Sequence, residues 1–243
     1  DVFSVADTVS KANGGTFESN ISIGGTLGVT GNVISPVTIG GTTPTLTIGD
    51  AGAEDTKIVF DGNAQDFHIG LDDSADSLTI GLGSTLGTTS HMVFDANGHI
   101  TKPLQSAFLA KLSTNQNNVT ADGSHQTIQF DTEIFDQNAD FNTSNYTFTA
   151  PVTGKYHIST VIYSEQLDTD ANFSYITIMT SNRNAFLILT PKFSSDPTYW
   201  FFSGSLLMDM DASDTAIITY VQGTGAAQTD INATSYFSGY LVC

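Results

Sequence analysis

From residue 103 onward, apolar and polar residues alternate over short stretches separated by turns rich in Asn, Asp, Ser and Gly. Nine such stretches predict strands, at 107–112, 126–130, 146–149, 155–164, 174–180, 185–190, 199–209, 215–221 and 235–242. No stretch carries a 3.6-residue period with helix caps. Nine short strands in about 140 residues predict a jelly roll or a related β-sandwich. In the seventh, Trp200 and Phe202 alternate with Tyr199 and Phe201, so both faces are aromatic. One face packs the core. The other face is expected to pack a neighbouring subunit, with Trp200 and Phe202 as the candidate contacts; the alternative is a partly exposed aromatic platform for a ligand.

The first hundred residues carry a different pattern, a drifting repeat of β-branched residues followed by Gly. Ser22-Ile23-Gly24-Gly25-Thr26 is echoed by Thr38-Ile39-Gly40-Gly41-Thr42, and its core returns in Thr47-Ile48-Gly49 and Thr79-Ile80-Gly81. Such units predict short strands ending in turns. Each buries little alone, so three chains winding together would bury the rows of Ile23, Ile39, Ile48 and Ile80 around a shared axis. The bland alternative is a small irregular β domain. Thr56–Asn63 and His91–Ile100 both run from an apolar strand through Phe-Asp into an Asn/Gly turn. They predict hairpins that form a collar on this shaft.

Composition sharpens the division. Residues 1–102 hold 16 of the 22 Gly and 5 aromatics, whereas 103–243 hold 6 Gly and 20 aromatics. Only the second part can fill a large core within one chain, which places a domain boundary near residue 102. The 25 acidic residues against 7 Lys+Arg leave a formal charge of −18. That field repels nucleic acid. No apolar run is long enough for a membrane-spanning helix. The lone cysteine, Cys243, allows neither an intrachain disulfide nor a thiolate zinc site. The chain begins at Asp1 in mid-pattern without an initiator Met, which reads as the C-terminal part of something longer.

Several segments of the second part form a recognisable set. They are Ala107-Phe108-Leu109-Ala110, Ile128-Gln129-Phe130-Asp131, the run Tyr146-Thr147-Phe148-Thr149-Ala150-Pro151-Val152-Thr153-Gly154-Lys155-Tyr156, and the closing Phe237-Ser238-Gly239-Tyr240-Leu241. Together they resemble the globular head of complement 1q, itself similar to the tumour-necrosis-factor jelly rolls. The resemblance implies a ten-stranded jelly roll that assembles as a homotrimer and presents loops for binding. This chain departs from the pattern at Ala150, where relatives often carry cysteine, and it lacks a collagen stalk. More loosely, the Gly-rich first part, with 55–63 and 67–73, resembles fibre proteins of tailed bacteriophages.

Catalytic signatures are missing. There is no Gly-x-Ser-x-Gly elbow, no phosphate-binding glycine loop in a strand–helix context, and no long solenoid to hold two carboxylates across a glycosidic bond. Asp168 with Asp170, and Asp209 with Asp211, place oxygens at alternate positions and are candidates for calcium, which some complement 1q relatives bind. Solvated acidic turns are the plainer reading of both.

These readings converge on an all-β, non-enzymatic virion fibre protein: a trimeric β shaft and collar followed by a jelly-roll head. The head would act outside the cell, gripping a host surface glycan or outer-membrane protein, while the N-terminus joins other virion tail proteins. Tyr163, Asn172, Tyr175, Asn182, Arg183 and Tyr199 are the receptor-binding candidates. One rival is a structural virion protein (head fibre, baseplate spike or decoration protein) whose jelly roll only trimerises and caps the shaft. Another is a secreted bacterial lectin-like module.

Overall fold

A computed structural model describes residues 33, 36–190 and 193–243, with the backbone alone for 187–190. The chain divides into two units, 1–48 and 49–243. In the first, Ile23 lies outside the described residues. Thr38-Ile39 and Thr47-Ile48, expected to open strands, carry none, and both isoleucines are exposed. Among the described residues neither segment joins a ladder, and a strand without a partner is not stable in water.

In the second unit, residues 56–101 form an antiparallel sheet in simple meander order. Its strands are β1 (Thr56–Phe60), β2 (Phe67–Asp72), β3 (Ser77–Leu82), β4 (Ser90–Asp95) and β5 (Ile100–Thr101). The two Phe-Asp-turn segments supply β1 and β4 with their turns. At the second turn, the Asp95 carboxylate accepts the backbone N–H groups of Asn97 and His99.

Two further sheets face one another over residues 107–241. The strands are β6 (Ala107–Lys111), β7 (Gln126–Thr127), β8 (Thr132–Asp136), β9 (Phe141–Asn142), β10 (Thr147–Thr149), β11 (Gly154–Glu165), β12 (Phe173–Thr180), β13 (Asn184–Thr190), β14 (Tyr199–Met210), β15 (Thr215–Gly223), β16 (Asp230–Ile231) and β17 (Tyr236–Leu241). One sheet runs β14-β11-β17-β6-β8 with β16 on β11. The other runs β13-β12-β15-β10-β9 with β7 on β15. All pairs are antiparallel, and the order places the first and last strands, β6 and β17, side by side. This is a jelly-roll sandwich.

The stretch expected as one strand over 126–130 is instead a corner. β7 belongs to one sheet and β8 to the other, and the chain crosses between them through the core. Ile128 and Phe130 are buried there, and the Phe130 N–H donates to the Ile128 carbonyl in a tight turn. β8 escaped the sequence pattern because it is an edge strand whose Ile134 and Phe135 are both exposed, so nothing alternates.

The core is built around Phe108. Its ring stacks on Phe141 and Phe148 at 5.0 and 4.8 Å and meets Phe237 edge-on at 4.9 Å. Two glycines admit close approaches, one at this cluster and one at the C-terminal end of the sheet. A Cβ on Gly239 would stand 2.8 Å from Ile158 and 2.9 Å from Phe108, and one on Gly154 would stand 2.7 Å from the Cys243 carbonyl oxygen. The run from Phe148 to Tyr156 acquires a physical meaning here. Phe148 and Ala150 are buried, the chain turns at Pro151, and the buried Tyr156 donates its hydroxyl to the Val152 carbonyl at 2.7 Å, closing the turn. Burial, and after it the Asp140 charge, pushes the Tyr156 hydroxyl pKa up.

Candidate functional site

Strand β11 shows how this fold creates surfaces. Tyr156, Ile158, Thr160, Ile162 and Ser164 point inward, and the alternate residues point out. Its register with β14 pairs Tyr163 with Phe201 and His157 with Leu207, while β17 sets Tyr236 beside Val161 and Tyr240 beside His157. The outward face of this sheet therefore carries two aromatic and apolar clusters, Tyr163-Phe201-Tyr199 with Val161-Tyr236 and His157-Leu207-Tyr240, on either side of a serine row of Ser159, Ser205 and Ser238. Tyr163 and Phe201 stack at 4.6 Å, and Tyr199 lies 5.7 Å from Tyr163. Partial desolvation, then the neighbouring Glu165 and Tyr199, raises the Tyr163 hydroxyl pKa. Tyr199, Phe201 and Leu207 are each 58–59% exposed, whereas Phe202, one position along, is fully buried.

That last contrast corrects the expectation for β14. Phe202 packs within its own chain against Tyr220, with ring centroids 5.9 Å apart. Trp200 also turns inward, edge-on to Phe193 at 4.9 Å. The strand's outward pair is Tyr199 and Phe201. The two-faced aromatic pattern was legible in the sequence, but not which face the core takes.

The opposite sheet carries a smaller aromatic ledge. Phe173 stacks on Tyr175 at 5.7 Å, Phe186 meets Tyr175 edge-on at 5.2 Å, and His125 lies 6.2 Å from the same ring. Ile176 and Ile178 of β12 face the core, so Phe173 and Tyr175 face out, and Phe186 is 65% exposed. His125 is held by a 2.8 Å hydrogen bond between its Nδ1 and the Thr219 hydroxyl. Phe173, Phe186 and His125 were not singled out in the sequence, because the ledge arises from a strand pairing that no local pattern encodes.

The six receptor-binding candidates do not form one site. Tyr163 and Tyr199 lie on the large apolar face, and Tyr175 lies on the ledge. Asn172 precedes β12 and Asn182–Arg183 follows it. Eight residues at a rise of about 3.3 Å put these two groups roughly 26 Å apart. Arg183 donates to the Asp209 carboxylate at 2.7 Å, and Asn182 donates to Asp214.

The acidic pairs are likewise engaged by their own chain. Asp168 accepts the N–H groups of Asp170 and Ala226, Asp209 accepts Arg183, and Asp211 lies 3.5 Å from the Thr153 hydroxyl. Among the described residues no group of three or more His, Cys, Asp or Glu converges as a metal site. Asp196 instead ties loops together: it accepts the Thr169 N–H and hydroxyl at 2.9 and 2.6 Å and the Gln228 amide at 3.0 Å. Among the described residues no helix is long and apolar enough to cross a membrane.

The chain can now be set beside known proteins. It is similar to the globular domain of zebrafish complement 1qA, at 18% identity and a TM-score of 0.42, over 57% of this chain and 98% of that one. It is similar to murine APRIL, at 7% identity and a TM-score of 0.41, over 57% of this chain and 99% of that one. No curated protein matches it. The C1q domain family matches residues 107–242, from the first sandwich strand to the last, and the chain belongs to that family.

Proposed function

We propose that this protein is a non-enzymatic homotrimeric adhesion module, the receptor-binding tip of a virion fibre. Domains of the C1q family are typically trimeric, extracellular binding modules. The observation that carries the trimer is the outward face of β14-β11-β17. Tyr163, Phe201, Leu207 and Tyr236 leave an apolar surface there that a soluble monomer rarely maintains. Burying it between subunits is worth about 25 cal/mol per Å² of apolar area.

With that face turned inward, the Phe173–Tyr175–Phe186 ledge on the opposite sheet remains open to solvent. Flat aromatic rings with a flanking imidazole suit the apolar faces of sugar rings, and we assign the ledge to a host surface glycan. Three copies on one rigid body gain avidity over a single weak site, by about 10²–10⁴ when the geometry allows simultaneous engagement. The order of a Gly-rich repeat followed by this head supports the fibre reading and its extracellular, virion setting.

The test is retention of the labelled full chain on an array of immobilised bacterial surface oligosaccharides. Wild type is expected to be retained on a subset, and Phe186→Ala and Tyr175→Ala to weaken retention by about tenfold or more, about 1.4 kcal/mol. Equal retention of the variants would remove the ledge from the account. Retention of none would favour the rival in which the head only caps and trimerises a shaft.

A further inference from the structure

The sheet of residues 56–101 is lopsided in a way the sandwich does not explain. On one face, pairing across strands builds continuous apolar rows. Ile58 pairs with Ile69, Ile69 with Ile80, and Ile80 with Met92. One step along, Leu71 pairs with Leu78, Leu78 with Phe94, and Phe94 with Ile100. The centre of the opposite face, on β2 and β3, is built from small and polar residues and is already covered, whereas Lys57 at its β1 edge is exposed. His68, Gly70, Thr79 and Gly81 are buried there, and the β3–β4 loop folds down on them with Leu86. Gly70 and Gly81 fit because they lack a Cβ, which would stand 2.8 Å from Leu86 and 2.5 Å from the Thr89 carbonyl oxygen respectively. The chain's own cover thus lies over the small residues. Ile58, Ile69, Leu71, Leu78 and Ile100 on the large-residue face stay exposed, from Ile69 at 38% to Ile100 at 57%, while Ile80, Met92 and Phe94 between them are half-buried.

We propose that this face is a second self-association surface, on which three copies of the chain pack their β1–β5 sheets against one another. The inference rests on the homotrimer reading and extends it to a region outside the C1q domain. Two observations choose another copy as the occupant. First, charge: each chain carries −18, yet the apolar rows contain no ionisable side chain, and His91 only borders them, 6.0 Å from Phe67. Copies can meet here without setting carboxylate against carboxylate, and an equally apolar face is the complement required. Second, continuity: Ile100 at the end of the second row lines a hollow of about 360 Å³ together with Ala107 and Tyr240 of the sandwich. Tyr240 belongs to the outward face assigned to subunit packing, beside His157 at 5.2 Å. Subunits that meet through the sandwich therefore bring the adjoining apolar sheets toward one another.

The test uses the full chain with Cys243→Ser as background and one added thiol, either Ile69→Cys on the apolar face or Lys57→Cys on the other. Lys57 is exposed, and both changes are mild at strand positions. Each thiol is labelled with Ellman's reagent at a concentration where light scattering reports the mass. The proposal predicts that Ile69→Cys reacts about tenfold or more slowly than Lys57→Cys in the assembled protein, and that denaturant equalises the two. A trimer in which both thiols react alike overturns this inference and leaves the sandwich interface intact. A single-subunit mass for the unsubstituted chain overturns the homotrimer and this inference together.

Discussion

Tyr163 and Phe201 lie ring on ring across β11 and β14, 4.6 Å apart and 17° from parallel, on the face of the sheet turned away from the core. The neighbour of Phe201 along the strand, Phe202, is buried in the same chain. The two phenylalanines should therefore respond oppositely to substitution. Phe201→Asp is expected to leave the circular dichroism of the subunit unchanged and to dissociate the trimer. Phe202→Ala is expected to cost about 3–5 kcal/mol of subunit stability through the lost ring and the cavity it leaves. Light scattering and urea denaturation of both variants check the assignment, and a trimeric Phe201→Asp would remove this face from the interface.

The turn between β10 and β11 offers a test of the family signature as physics. Tyr156→Phe removes only the hydroxyl that donates to the Val152 carbonyl. It should cost about 1 kcal/mol, and more if the carbonyl is left dry. Gly154→Ala must displace the Cys243 carbonyl, and should cost about 1–3 kcal/mol as overpacking. Urea midpoints measure both. A neutral Gly154→Ala would show that the C-terminal strand end yields freely.

Acid should weaken the loops before the core. Hydrogen bonds from Ser181 and the Asp211 N–H hold the Asp214 carboxyl below its ordinary value of 3.8. Thr169 and Gln228 do the same for Asp196. A carboxyl with a depressed native pKa contributes stability that is fully present above the unfolded value. That contribution is lost as pH falls below about 3.8 through the lower native value. The thermal midpoint is therefore expected to fall as pH drops below about 3.8, and less steeply in Asp214→Asn. A variant with the wild-type slope would show that other carboxyls govern the acid limb.

Charge also sets a salt dependence. Each chain carries −18, and bringing three together concentrates that charge. At about 10 mM salt, where the screening length is roughly 30 Å, the trimer should dissociate more readily than at about 150 mM, where it is roughly 8 Å. Sedimentation at the two salt concentrations measures this. Tighter association at low salt would mean that attractive ion pairs dominate the interface.

Much of the sandwich was legible because the residues that form its strands alternate. Tyr156, Ile158 and Ile162 reveal β11 at a glance, and the Phe148–Tyr156 run marks the turn before it. The corner at Ile128–Phe130 was hidden, because a chain crossing between two sheets shows the same apolar spacing as a strand. The edge strand β8 was hidden for the reverse reason, having no buried side to create a period. Among surface residues, Tyr199 was legible as outward only once its register with Glu165 was known. The Phe173–Tyr175–Phe186 ledge was not legible, since residues from two strands meet there across a register shift between Ile176 and Thr177. In the first unit, Ile39 and Ile48 show the limit of repeat reading: a β-branched pair before Gly names a possible strand but not its partner.

The most direct test of the account is the native mass of the full chain, measured by light scattering without cross-linking. The account predicts about 77 kDa, three times the 25.8 kDa of one chain. A mass of 25.8 kDa would contradict it, because Phe201, Leu207 and the Ile58–Ile69–Ile80 row would then be left in water with nothing to cover them.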